Sequence, residues 1–170
     1  MELYIERGFD NTTVAAIAER AGLTERTFFR HFADKREVLF GGAAMLQQFM
    51  VDAIAAAPDT ASPLEMVVTA LDALESVFTD RQFSLQRQAV ISASAELRER
   101  EVLKLATLGA AVAEALRLRG VKEPAASLTA QTGMTIFSVA FERWIGDKKK
   151  RTFSVLIQES LVELRSITAG

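Results

Sequence analysis

Two short helix-forming segments meet at Ala21-Gly22-Leu23-Thr24, and this junction constrains the fold more than any other stretch of the chain. Upstream of it, Val14, Ile17, Ala18 and Ala21 keep the i, i+3, i+4, i+7 spacing of a helix with one inward face, and Thr12 or Thr13 precedes them as a cap. Gly22 is a residue able to take the left-handed conformation that ends a helix at C′. Thr24 then caps a second short helix running through His31. Ala18 is small where a partner helix crosses, and Phe28 and Phe32, at i and i+4, pack inward. The predicted unit is a helix-turn-helix.

The remainder reads as helices too. Glu2 to Arg7 is a helical fragment stopped by Gly8. Asp34 with Glu37 has the spacing of a capping box and opens a helix expected to continue to Pro58. Ser62-Pro63 is an N-cap followed by proline at N1, starting a helix to about Phe78. Further helices are predicted over Arg81 to Ser92, Glu96 to Arg119, Pro124 to Trp144 and Lys149 to Ile167. β-branched residues nowhere alternate with polar ones over a useful length, so the expected class is all-α. A three-helix helix-turn-helix module over residues 1–40 is expected to sit on a larger helical body over residues 41–170. No apolar run is expected to reach the length of a membrane span, and the N-terminus does not read as a signal peptide. Cysteine is absent, which excludes disulfides, thiolate catalysis and cysteine metal sites and suits a reducing cytoplasm.

Charge gives no global sign of nucleic-acid binding. The net charge is −2, and residues 1–40 hold six Lys/Arg against seven Asp/Glu. The balance turns locally over residues 24–36, where Arg26, Arg30, Lys35 and Arg36 outnumber Glu25 and Asp34. With Phe28 and Phe32 turned inward, Glu25, Arg26, Thr27, Phe29 and Arg30 lie around the outer face and N-terminal end of the second helix. A helix of that kind fits a major groove, where side chains of its first turns reach base edges. The ordinary alternative for Arg26 and Arg30 is a pair of solvated surface charges. His31 is the only histidine, so it cannot build a metal site or a triad, and no metal or other cofactor is expected.

The string GFDNTTVAAIAERAGLTERTFFRHFADKREVL resembles the DNA-binding module of the TetR family of transcriptional regulators, almost continuously over residues 1–40. The resemblance implies that Thr13, His31 and Lys35 hold DNA phosphates and that Arg26, Thr27 and Arg30 sit in the major groove. For Lys35 the position at the start of a following helix agrees, since backbone N–H groups and a cation together suit a phosphate. Phe29 stands where the family usually has Tyr, at a cost of about 1 kcal/mol for one neutral hydrogen bond. Family members usually extend further upstream, so the first helix is expected to be shortened here.

In the body, the helix around SLTAQTGMTIFSVAFERWI is apolar on much of its circumference, which predicts burial on more than one side. Phe153, Leu156, Ile157, Ser160, Leu161 and Leu164 form a stripe on the last helix, widened by Val155 and Val162. Such a stripe is either monomer core or a self-association face. The family arrangement favours a homodimer with two recognition helices about one DNA turn apart. ELREREVLKL and AFERWI resemble the TetR subgroup with acyl-CoA-like ligands. That resemblance implies an apolar pocket near Phe49, Phe78, Phe83, Phe137, Phe141 and Trp144, with Arg87 and Gln88 as polar contacts near its mouth. Core packing is the plain alternative for the aromatics. Lys148 to Arg151 reads as a solvated connection. The expected protein is a cytoplasmic, dimeric repressor of double-stranded operator DNA, released by a small apolar or acyl-CoA-like effector. An interaction protein without DNA binding, or an enzyme using the pocket, are the rival readings, the enzyme the weaker.

Overall fold

Capping side chains and glycines set most helix boundaries in the computed structural model, which describes residues 1–169. Helix α1 (Glu2–Arg7) ends at Gly8, whose φ is +81°. Helix α2 (Val14–Arg20) is capped by Thr13, whose hydroxyl accepts from the Ala16 N–H at 3.1 Å. At its other end the Gly22 N–H reaches the Glu19 carbonyl and the Leu23 N–H the Ala18 carbonyl, with φ +67° at Gly22. That pair of bonds is a Schellman turn. Thr24 caps α3 (Glu25–His31) by accepting from the Thr27 N–H. Ala18 and Phe28 are buried as expected, but Ala21 is exposed, because the chain turns there before α3 can cover it.

The predicted long helix from Asp34 is two helices. Asp34 accepts from the Arg36 and Glu37 N–H groups, but Glu37 does not return the bond; its carboxylate pairs with Arg100 at 2.7 Å. Helix α4 is only Glu37–Phe40, and α5 (Ala43–Ala55) begins after Gly41-Gly42. Consecutive glycines weaken helix propagation by about 1 kcal/mol each. The stretch Glu37–Ala55 is, by length and composition, apolar enough to cross a membrane, contrary to the expectation from sequence. In the fold this stretch is broken at the glycine pair, and α5 packs its apolar side on other helices.

Helix α6 (Pro63–Ala73) has a complete capping box between Ser62 and Glu65 and runs into a 3-10 turn at Leu74–Ser76. Helices α7 (Arg81–Ala93), α8 (Ala95–Leu118) and α9 (Ala125–Gly146) follow near their predicted bounds. Helix α10 (Phe153–Thr168) starts later than predicted. Asp147 accepts from the Arg151 backbone N–H at 2.8 Å, which closes a turn over Lys148 to Lys150 and leaves Thr152 to cap the helix.

The main core lies among α5, α6, α8, α9 and α10, with Met50, Ile54, Leu74, Leu116, Phe153 and Ile157 fully shielded. A second cluster joins Tyr4, Phe9, Leu39 and Phe40 to Val90, Ile91 and Leu97 of α7 and α8. The N-terminal three-helix unit therefore shares its apolar base with the body. Ion pairs Arg36–Glu96 (3.1 Å) and Arg100–Glu37 reinforce that seam.

Candidate nucleic-acid interface and buried cavity

The outer face of α3 follows from how its inner face is packed. Phe28 is 3% exposed, its ring 5.2 Å from Phe32, while Phe29, its ring edge-on to that of Phe28 at 5.5 Å, is 53% exposed. Glu25, Arg26, Arg30 and His31 are exposed with it, and Thr27 is half-buried with its hydroxyl 3.1 Å from that of Thr24. Arg30 lies 3.4 Å from the His31 ring nitrogen. Among the described residues, Arg20 is paired with Glu2 and Glu6, and Arg36 with Asp34 and Glu96, whereas neither Arg26 nor Arg30 has a carboxylate partner. The acidic excess of residues 1–40 is thus partly neutralised away from α3, and the outer face of α3 keeps two guanidinium groups without a carboxylate partner. The sequence alone did not separate these arginines from their paired neighbours.

Two expected phosphate contacts have structural duties. Thr13 caps α2 with its hydroxyl oxygen and remains exposed. Lys35 is not a free cation: its Nζ donates to the Phe9 carbonyl at 2.9 Å and the Thr12 carbonyl at 3.0 Å, above the Phe9 ring. Two of its three N–H groups thereby tie down the α1–α2 connection. The Tyr4 hydroxyl donates to the Lys35 carbonyl, so Lys35 is held from both ends.

A cavity of about 480 Å³ opens beside this head. That lies within the range of about 300–1,000 Å³ common for small-molecule sites. Phe78, Phe83, Arg87, Gln88, Phe137 and Phe141 line it, as expected. Phe49 and Trp144 do not. Phe49 packs against the main core, and Trp144, 3% exposed, is enclosed by Phe78, Phe141 and Phe153 beneath the Arg81 guanidinium. Helical spacing put Trp144 near Phe141 without showing that its ring turns inward.

Phe40, Glu101 and Lys104 are among the lining residues that the sequence reading did not name. Arg87 donates through Nε to the Leu39 carbonyl at 2.8 Å and through Nη2 to Glu101 at 3.1 Å. Lys104 reaches the same carboxylate at 3.3 Å. Both cations lie over the Phe40 ring, at 5.1 and 6.0 Å. The cluster is well shielded, with 14–18% of each side chain exposed. Burial pushes the Glu101 carboxyl up, but the charges of Lys104 and Arg87 outweigh it and hold the group below its ordinary value. Burial pushes the Lys104 ammonium down, and Glu101 offsets this only in part.

The stripe expected at a dimer interface faces inward instead. Phe153, Leu156, Ile157, Ser160 and Leu161 are buried in the protomer's own core and Leu164 is half-buried. Val139, Val155, Val162 and Ile167 stay exposed along α9 and α10 and border a groove of about 930 Å³, while Leu128 is exposed outside it. The periodic stripe marked the side of α10 that needs cover; α6 and α9 supply it.

Residues 1–40 match the family described as bacterial regulatory proteins, tetR family. Over this head the chain is similar to the TetR family. The curated relative TcmR of Streptomyces glaucescens, an HTH-type transcriptional regulator, is 35% identical over 74 residues, 44% of this chain. That match spans 33% of TcmR's own length. The fold of the chain also resembles FadR of Thermus thermophilus, a TetR-family repressor solved in complex with lauroyl-CoA. The TM-score is 0.58 at 24% identity, over 96% of this chain and 88% of FadR. A TetR-family regulator from Mesorhizobium loti gives the same TM-score at 17% identity, covering 98% of this chain and 91% of its own.

Proposed function

We propose that this chain is a cytoplasmic, sequence-specific DNA-binding repressor that works as a homodimer and leaves its operator when a small apolar or acyl-CoA-like effector enters the cavity. Residues 1–40 serve as the DNA-binding head and residues 41–170 as the effector-binding and dimerising body. The reading includes no catalysis. The observation that carries it is the pairing pattern in the head: Arg20 and Arg36 are neutralised, while Arg26 and Arg30 stay unpaired on the exposed face of a capped helix. Glu25, Thr27 and Phe29 share that surface, with Thr13 and His31 beside it for phosphates. Lys35 acts as a brace for the α1–α2 connection with one N–H left over for DNA.

Pairing of two copies along α9 and α10 is supported by the exposed Val139, Val155, Val162 and Ile167. The effector reading is supported by the aromatic cavity and by the lauroyl-CoA complex of the similar FadR. Effector action requires different affinities for two arrangements of the heads, since a ligand binding both equally shifts nothing. The cavity reaches Leu39 and Phe40 of α4, so an occupant touches the segment that joins head to body.

Fluorescence anisotropy against DNA from the chain's own upstream region, across a salt series, tests this. Tight binding that resists competitor DNA and weakens steeply with salt is expected. Arg26→Ala and Arg30→Ala should each cost about 1–3 kcal/mol of operator affinity if they contact bases, with the fold retained. Operator affinity unchanged in both variants, or weak binding equal for any sequence, would sink the proposal.

A further inference from the structure

The cavity is polarised. Its exposed rim, where Thr79, Asp80, Phe83 and Glu142 meet solvent, carries two carboxylates. Its shielded floor carries Arg87, Glu101 and Lys104, two cations against one carboxylate. The nearby Glu37 is engaged by Arg100 and adds no free acid to the floor. Hydrogen-bond capacity on the floor is also incomplete. Arg87 uses Nε and one N–H of Nη2, which leaves three of its five N–H donors, and both bonds of Lys104 go to the same carboxylate at 3.3 and 3.4 Å. An uncompensated positive charge in a shielded site is unfavourable unless an anion completes it.

We infer that the effector is an anionic amphiphile that enters head-first, its acidic group seated on Arg87 and Lys104 and its hydrocarbon part between Phe78, Phe83, Phe137 and Phe141. This rests on the effector-cavity reading above and names the chemistry of the ligand. A fatty carboxylate fits the arrangement at both ends. A thioester entering tail-first would press a methyl group against the buried charges and hold its phosphates beside Asp80 and Glu142. The seated anion also competes for Arg87, which holds the Leu39 carbonyl and covers Phe40, so the same contact that selects the ligand loosens the grip on α4.

Isothermal titration of the full chain with dodecanoate, dodecanol and lauroyl-CoA tests this. Dodecanoate is expected to bind at least about tenfold more tightly than dodecanol, the effect of one charge-assisted contact. Lys104→Met is expected to weaken dodecanoate by about tenfold and leave dodecanol unchanged. Arg87→Met should do the same. Lys104→Met remains informative if loss of the Leu39 contact unfolds the Arg87 variant, since Lys104 contacts no backbone carbonyl. Equal affinity for acid and alcohol overturns the inference. So does equal loss of both in Lys104→Met, binding of lauroyl-CoA alone, or binding of none of the three. Operator affinity measured without any of these probes separates the failures: its absence sinks the regulator reading, and its persistence beside indifferent probes sinks this one only.

Discussion

Gly133 sits in the middle of α9 where α6 crosses it, and replacing it with alanine sets two effects against each other. A Cβ at this position would stand 2.3 Å from Cγ1 of Val67, which is 1% exposed. Carbon atoms in contact prefer about 3.5–4.0 Å, so more than an ångström of separation is missing. Valine in a helix has essentially one χ1 rotamer, so the methyl cannot swing aside and the two helices must part. Overpacking of this kind costs about 1–3 kcal/mol, and the severity of the clash points to the upper end. Against it stands a gain of about 1 kcal/mol from removing a glycine from a helix interior. The expected net loss for Gly133→Ala is about 2 kcal/mol. With a urea m-value of about 2 kcal/mol/M, the midpoint should fall by about 1 M at fixed protein concentration. Gly109 in α8 supplies the contrast: its Cβ would meet the flexible Met134 side chain at 3.3 Å, so Gly109→Ala should be neutral or slightly stabilising. Val67→Ala combined with Gly133→Ala should be more stable than the two single losses add up to. A Gly133→Ala chain as stable as its parent, or a double variant that is merely additive, would refute the argument that the Val67 side chain of α6 rests on the α9 backbone here.

Two further outcomes follow from single side chains. Lys35→Met should lower the stability of the head by about 1.5–3 kcal/mol through its lost charge-assisted bonds to the Phe9 and Thr12 carbonyls, seen in thermal unfolding; full stability with weakened operator binding would return Lys35 to a phosphate role. The Arg151 guanidinium and then its backbone N–H hold the Asp147 carboxyl down to about 2, from an ordinary 3.8. Because the folded value is the lower one, this contribution to stability is present above about pH 4 and is lost as pH falls toward 2. Asp147→Asn should remove that part of the acid dependence, and parallel stability profiles for the two chains over this window would show the assignment to be mistaken.

The features legible in the sequence were those whose partners lie within one turn. Gly22 with Thr24, and Ser62 before Pro63, act within their own turn, and both boundaries were readable. Asp34 and Glu37 have the same spacing as Ser62 and Glu65, yet Glu37 turns to Arg100, a partner that only the tertiary fold brings near. The Arg87–Glu101–Lys104 cluster was hidden for the same reason, since it joins two helices across a corner. Periodicity found the stripe from Phe153 to Leu164 but carries no statement of what covers it, and here the cover is the protomer itself. The bracing duty of Lys35 was hidden because its position before a helix is visible and the carbonyls it serves, Phe9 and Thr12, are not.

The chain holds one tyrosine and one tryptophan, and the fold has put them in different places. Tyr4 is buried in the head against Phe9, its hydroxyl fastened to the Lys35 carbonyl. Trp144 is buried in the body, in ring contact with Phe78 and Phe141 of the cavity wall. Excitation chosen for the indole therefore watches the surroundings of the cavity wall, and the phenol signal watches the base of the N-terminal unit. Each part of the molecule reports in its own colour, so the order in which they respond to heat, denaturant or an occupant can be followed in the unlabelled protein.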